Sequence, residues 1–218
     1  MRGLAGLALA LVLASVAAGA APAPLPPAGD VATRGLYRAA ITTPEVTFRL
    51  RHTWVVQVSS RRLFILLRER VTQALTFFNV GRLSGVIDPR AQVDPRVPPG
   101  FMVVSTPRDL VAWLRRHPRL KVGKPRRVRI GGLRGIRLDA AVRRGYRFSS
   151  CPTTCVGLFP AATPSERGIW FQVKGSTTRY YFVRKGPKRL LMVIEAPKAR
   201  FRTFARLATG VVRSVRLR

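Results

Sequence analysis

The charge imbalance constrains this 218-residue chain more than any other feature: 40 Lys and Arg face 9 Asp and Glu, a formal net charge of +31. Few surface cations can find an acidic neighbour. Self-repulsion on that scale opposes compaction unless counter-ions or an anionic partner screen it. A chain that folds against such repulsion needs a real core, and 47% hydrophobic residues are enough to build one. Arg outnumbers Lys 34 to 6. GC-rich coding explains Arg in place of Lys but not the scarcity of Asp, which GC-rich codons also encode, so the positive excess carries physical information.

Met1-Arg2, the apolar run from Leu4 to Ala17 and the small residues Ala18-Gly19-Ala20 read as a signal peptide over residues 1–20, cleaved after Ala20. An uncleaved anchor is the alternative, because uncharged residues run from Gly3 to Gly29. The leader implies a secreted or extracytoplasmic, cell-envelope location. No Cys follows the apolar run, which argues against a lipoprotein. Residues 21–35, with Pro22, Pro24, Pro26 and Pro27, are expected as a Pro/Ala-rich spacer, and residues 36–218 as one domain.

Val46 to Leu50 alternates with period two, and Trp54 to Val58, Leu63 to Leu67 and Gln73 to Val80 continue as strand candidates. Gly81 to Gly100, with four prolines, reads as a surface loop. Thr106 as cap, Pro107 at the first position and Pro118 as the stop mark a helix with Leu110, Trp113 and Leu114 facing the core. Arg126 to Ile130 and Ile136 to Val142 bracket Gly131-Gly132-Leu133-Arg134-Gly135, whose glycines suit the positive dihedrals of a hairpin turn. Strands are expected at Gly168 to Val173, Tyr180 to Arg184 and Leu190 to Ile194. A second helix follows from Pro197, with Phe201, Phe204, Ala205 and Ala208 on its apolar face. The order of elements predicts an α+β fold, a mostly antiparallel sheet covered by two main helices.

The run Asp109 to Pro118, the segment Val128 to Asp139 and the helix with Phe201-x-x-Phe204 ending near Val212-Arg213-Ser214-Val215 are similar to a pattern in uncharacterised secreted actinobacterial proteins. That pattern resembles the PsbP-like α/β/α sandwich of extrinsic photosystem proteins and mycobacterial envelope lipoproteins. The resemblance covers about Glu45 to Arg218 and implies binding or scaffolding in place of catalysis, with no catalytic residues to carry over.

Catalytic chemistry finds little footing. Cys151 and Cys155 form a C-x₃-C pair, read as a local disulfide in an oxidising compartment; closing so short a loop contributes roughly 2 kcal/mol less strain. A redox-active pair would depart from the usual C-x₂-C spacing, and zinc would have only His52 and His117 to add. His117 precedes Pro118 at a helix end, where a cation complements the dipole and a structural role suffices, and His52 reads as a strand-surface residue. There is no G-x-S-x-G elbow, and no paired-carboxylate site beyond the loop residues Asp88 and Asp94. No enzyme, cofactor or metal is expected.

The basic residues carry the functional signal. Arg115, Arg116, Arg119, Lys121, Lys124, Arg126, Arg127, Arg129 and Arg134 place nine cations and no acid in twenty residues. The bland reading is a solvated helix end and hairpin whose charges point several ways, but alternation puts Arg127 and Arg129 on one face. Aromatic interleaving for single-stranded nucleic acid is sparse, with only Trp113 nearby, so sequence-specific nucleic acid is not the expected partner. Arg200, Arg202 and Arg206 lie off the apolar stripe of the second helix and would form a wet basic face or meet a membrane surface. The reading is an exported, non-enzymatic domain that binds envelope polyanions (anionic glycan, teichoic-type polymer or lipid headgroups) through an Arg-rich face. Its rival is an envelope small-molecule or lipid-binding protein that uses a cleft of the sandwich, with the charge incidental.

Overall fold

Central strands that are apolar on both faces build a nine-stranded sheet with a packed layer on each face. The computed structural model of the protein describes residues 21–41, 45–60, 63–68, 70–79, 86–87, 101–102, 107–147, 154–160, 169–186 and 188–217. The proposed signal peptide, the Thr106 cap, most of the Gly81 to Gly100 loop and Cys151 lie outside the described residues. Along the chain the elements are β1 (Ala23–Pro24), β2 (Val31–Ala32), β3 (Gly35–Ala39), β4 (Val46–Leu50), β5 (Trp54–Ser59), β6 (Leu63–Arg68), β7 (Arg70–Asn79), β8 (Val86–Ile87), β9 (Phe101–Met102) and α1 (Pro107–Arg116). Then come β10 (Leu120–Val122), β11 (Arg126–Ile130), β12 (Leu133–Val142), β13 (Tyr146–Arg147), β14 (Thr154–Pro160), β15 (Ile169–Val173), β16 (Ser176–Lys185), β17 (Lys188–Pro197), α2 (Lys198–Ser214) and β18 (Arg216–Leu217).

The main sheet runs β10-β12-β16-β17-β7-β6-β5-β2, with β11 also paired to β12, and every pairing in it is antiparallel. Period-two alternation sends successive side chains of each strand into different cores. On one face Phe64, Phe77, Tyr181 and Met192 pack against Phe201, Phe204 and Val212 of α2 and against Tyr37 and Phe48 of β3 and β4. The rings of Phe48, Phe64 and Phe77 stack with centroids 4.2 to 5.5 Å apart. On the other face Leu138, Tyr180, Phe182 and Leu191 pack against Leu110, Trp113 and Leu114 of α1 and against Val156 and Leu158 of β14.

The expected α+β architecture, a sheet covered by two main helices in an α/β/α sandwich, is corrected: strands dominate, and much of the cover is itself strand. β10 and β11 share one edge of β12, so the sheet is eight strands across, and at about 4.8 Å per strand it spans roughly 34 Å. Helices of 10 and 17 residues reach only about 15 and 26 Å. The remaining apolar surface is closed by the sheet β1-β3-β4-β18 on the α2 side and by β13-β14-β15 on the α1 side.

The expected spacer also differs in the structure. Ala23-Pro24 pairs in parallel with Tyr37-Arg38, and the Leu25 N–H donates to the Arg38 carbonyl at 2.8 Å. The Gly29 N–H donates to Val56 O at 2.7 Å, and the Val56 N–H to Asp30 O at 2.9 Å. Proline is compatible with such edge pairing because only part of the ladder needs an N–H.

Candidate anion-binding face

The hairpin β11–β12 turns at Gly131 and Gly132, whose φ values of 57° and 81° match the tight turn that a right-twisted hairpin favours. That turn fixes the register Arg129↔Arg134. Across the next ladder Arg134 faces Arg184, and across the β16–β17 hairpin Arg184 faces Arg189. Four arginines therefore stand directly opposite one another across four neighbouring strands. Arg134 and Arg184 have the strand parity of Leu138 and Phe182, so the row lies on the α1 face of the sheet. Directly opposed like charges destabilise a sheet, and this row repeats that arrangement three times at strand spacing.

Beside the row lies a cleft of about 640 Å³ lined by Arg108, Arg127, Arg129, Arg134 and Arg184, with Val128, Gly135 and Ile136. Among the described residues, none that lines it is acidic. Arg108 comes from the first turn of α1, whose N-terminal peptide dipoles add to the positive potential. All five guanidiniums belong to exposed residues.

The nine cations singled out in the sequence do not all share this site. Arg127, Arg129 and Arg134 line the cleft. Arg115 and Arg116 are exposed at the far end of α1, about 10 to 12 Å along the helix from Arg108. Lys121 pairs with Ala141, seven residues from Arg134 and therefore about 23 Å along β12, and Arg119 immediately precedes β10. Arg126 faces Arg137 on the other parity, and with Lys124, Asp139 and Arg179 it borders a cavity of about 350 Å³. Arg108, Arg184 and Arg189 fall outside the sequence cluster. The first is one helix away, and the other two reach the site only through the β12–β16–β17 pairings.

His117 is placed structurally, but not as a cation. It is buried, its Nδ1 accepts a hydrogen bond from the Arg119 N–H at 3.2 Å, and its ring lies edge-on to Trp113 with centroids 5.3 Å apart. Burial, with Arg119 nearby, pushes its pKa down to about 4. At neutral pH it is an uncharged acceptor that closes the end of α1, not a cation on the helix dipole. His52 is exposed between β4 and β5. Cys155 is buried on β14, while its expected partner Cys151 is not among the described residues, so the pairing stays an expectation.

Among the described residues no helix is long and apolar enough to cross a membrane, and no group of three or more His, Cys, Asp or Glu is placed to hold a metal ion. No family model matches the chain, and no curated protein is similar to it in sequence. Among solved structures the chain is similar to the solution structure of cyanobacterial PsbP (CyanoP) from Synechocystis sp. PCC 6803. The identity is 11%, the alignment covers 90% of this chain and 100% of that one, and the TM-score is 0.43.

Proposed function

We propose that the protein is an exported, non-enzymatic binder of polyanions that uses the arginine row and its cleft. The observation that carries this reading is the series Arg129–Arg134–Arg184–Arg189, placed opposite one another with no acid among the described residues that line the adjoining cleft. Such a row costs folding stability in the free protein, and an anionic chain laid across it relieves the repulsion. Arginine suits the role because its planar fork donates two parallel hydrogen bonds to a phosphate, sulfate or carboxylate. Four arginines on neighbouring strands about 4.8 Å apart cover roughly 14 Å of sheet, which fits a repeating anionic polymer of the cell envelope better than a single small ion. Specificity would come from charge spacing and not from base edges, so binding should be tight at low salt and tolerant of polymer sequence.

The rival reading, a small-molecule or lipid-binding cleft with incidental charge, wants a mostly apolar pocket with few polar groups. The arginine lining favours the polyanion. A salt titration separates the two. Affinity for a heparin-like or teichoic-type polymer should fall by orders of magnitude between about 50 and 200 mM salt as condensed counter-ions are no longer released favourably. Binding that is insensitive to salt supports the rival, and no binding at about 150 mM salt overturns the polyanion reading.

A further inference from the structure

We propose a second anion-binding site on the opposite face of the same strands, which makes the protein a bivalent bridge between two anionic chains. On β12 and β16, Arg137, Asp139 and Arg179 have the parity of Tyr181 and Val183, which belong to the core beneath α2. With Arg202, Arg206 and Arg213 of α2 they line a cleft of about 510 Å³. The arginine row faces the α1 side, so the two clefts open in opposite directions from one sheet.

The second cleft is built around a fixed pair. Arg179 donates from Nε to Asp139 Oδ1 at 2.7 Å and from Nη2 to Oδ2 at 2.8 Å, and its guanidinium carbon sits 5.4 Å from the centre of the Phe201 ring. The carboxylate neutralises Arg179 and holds it as a wall, which leaves Arg137, Arg202, Arg206 and Arg213 as the cations available to a ligand. Arg202, Arg206 and Arg213 follow one another at four and seven residues, so α2 presents them as one stripe. The helix is held in place over the sheet, with Tyr181 Oη and Thr209 Oγ1 3.1 Å apart. Gly210 lies between Arg206 and Arg213, and a Cβ built there would meet nothing within 4 Å, so the helix leaves the cleft open at a position where an interior glycine weakens it. Lys124 and Arg126 border the adjoining cavity, which shares Arg137, Asp139 and Arg179 with this cleft.

The ligand would be of the same chemistry as at the first site, a chain of phosphate, sulfate or carboxylate groups, so the inference rests on the polyanion reading for its ligand but on separate residues for its site. The test is a sandwich: full-length protein is captured on a heparin-coated surface, washed, and offered a soluble labelled heparin octasaccharide. The wild-type protein should take up the second glycan, and R202Q/R206Q/R213Q, all at exposed positions, should still be captured yet take up about tenfold less, since three phosphate-type contacts are lost. The first-site variant R127Q/R129Q/R134Q/R184Q should likewise be captured, through the α2 cleft, and fail in the second uptake. Circular dichroism melting of each variant keeps a loss of uptake separate from a loss of fold. A wild-type protein that is captured but takes up no second glycan, or an α2 variant that takes it up undiminished, overturns the bridge while leaving polyanion binding intact. Absence of capture at the first step overturns both.

Discussion

Arg134 and Arg184 stand directly opposite each other across β12 and β16, both exposed and on the same face of the sheet. A like-charged pair in that position costs stability, whereas an opposite-charged pair contributes about 0.2 to 1 kcal/mol. Arg184→Glu should therefore raise the melting temperature by a few degrees at low salt, with the gain shrinking as salt screens it. The same change should weaken polyanion binding. Loss of stability together with loss of binding would contradict the account, because it would make Arg184 a structural residue.

Two groups, the buried His117 and the half-buried Glu195, give opposing pH dependences. Glu195 on β17 lies on the face that carries Leu191 and Val193, and burial raises its carboxyl to about 7 despite a hydrogen bond from the backbone of Val173. An acid raised above its unfolded value of 4.5 makes the native state lose stability as pH rises from about 4.5 through 7. His117, lowered from 6.5 to about 4, does the reverse: stability is lost as pH falls from about 6.5 towards 4. Glu195→Gln should stabilise the protein more at pH 8 than at pH 5, by about 2 kcal/mol on the conversion of a pKa shift to free energy. Urea unfolding at the two pH values measures this. In that variant the acid-side loss due to His117 should remain. Equal effects of the substitution at both pH values would remove Glu195 as the cause.

Gly135 pairs with Val183, and a Cβ there would fall on the Phe182 carbonyl oxygen and within 2.8 Å of Val183 Cα. Gly132 has open space around the same position but a φ of 81°. Gly135→Ala should cost about 3 kcal/mol or more through overpacking against backbone, and Gly132→Ala about 1 kcal/mol through its dihedral. Both are read by denaturant unfolding, and the order of the two costs is the prediction. Gly135→Ala should also weaken polymer binding, since it disturbs the ladder that sets Arg134 against Arg184.

Local signals were well read from the chain and non-local ones were not. Pro107 at the start of α1, the buried Leu110, Trp113 and Leu114, and the apolar stripe Phe201, Phe204, Ala205 and Ala208 of α2 all follow from spacing within one helix. The shared face of Arg127 and Arg129 follows from alternation within one strand. Arg184 and Arg189 face each other across a local hairpin, but the pair joins the site only because β12 pairs with β16, a choice made by tertiary packing that no window of sequence encodes. The same reason explains the overestimate of helix cover. The period-two signal is weak in short strands such as β3, β10 and β18, and it is in pairing with distant partners that such segments become strand. The prolines of residues 21–35 describe backbone that cannot donate fully, and such backbone fits an edge as well as a linker.

The cysteine pair gives a prediction independent of the charge. An exported chain with Cys151 and Cys155 four positions apart should show almost no free thiol when unfolded without reductant. Two titratable thiols would rule out the local bridge.

The central claim, that particular arginines and not net charge bind the polymer, is tested most directly by two variants of equal charge. R127Q/R129Q/R134Q/R184Q removes four cleft arginines, and R49Q/R143Q/R144Q/R200Q removes four exposed arginines that line neither cleft. Dissociation constants for a heparin-like polymer, measured from about 50 to 200 mM salt, give an affinity and a salt slope for each. With the α2 cleft disabled in every protein by R202Q/R206Q/R213Q, the cleft variant should bind about tenfold or more weakly, with a slope shallower by roughly three to four, while the control stays within about threefold of the parent that carries only those α2 changes. Equal losses in the two variants would show that net charge alone acts and would contradict the arginine row as the binding site.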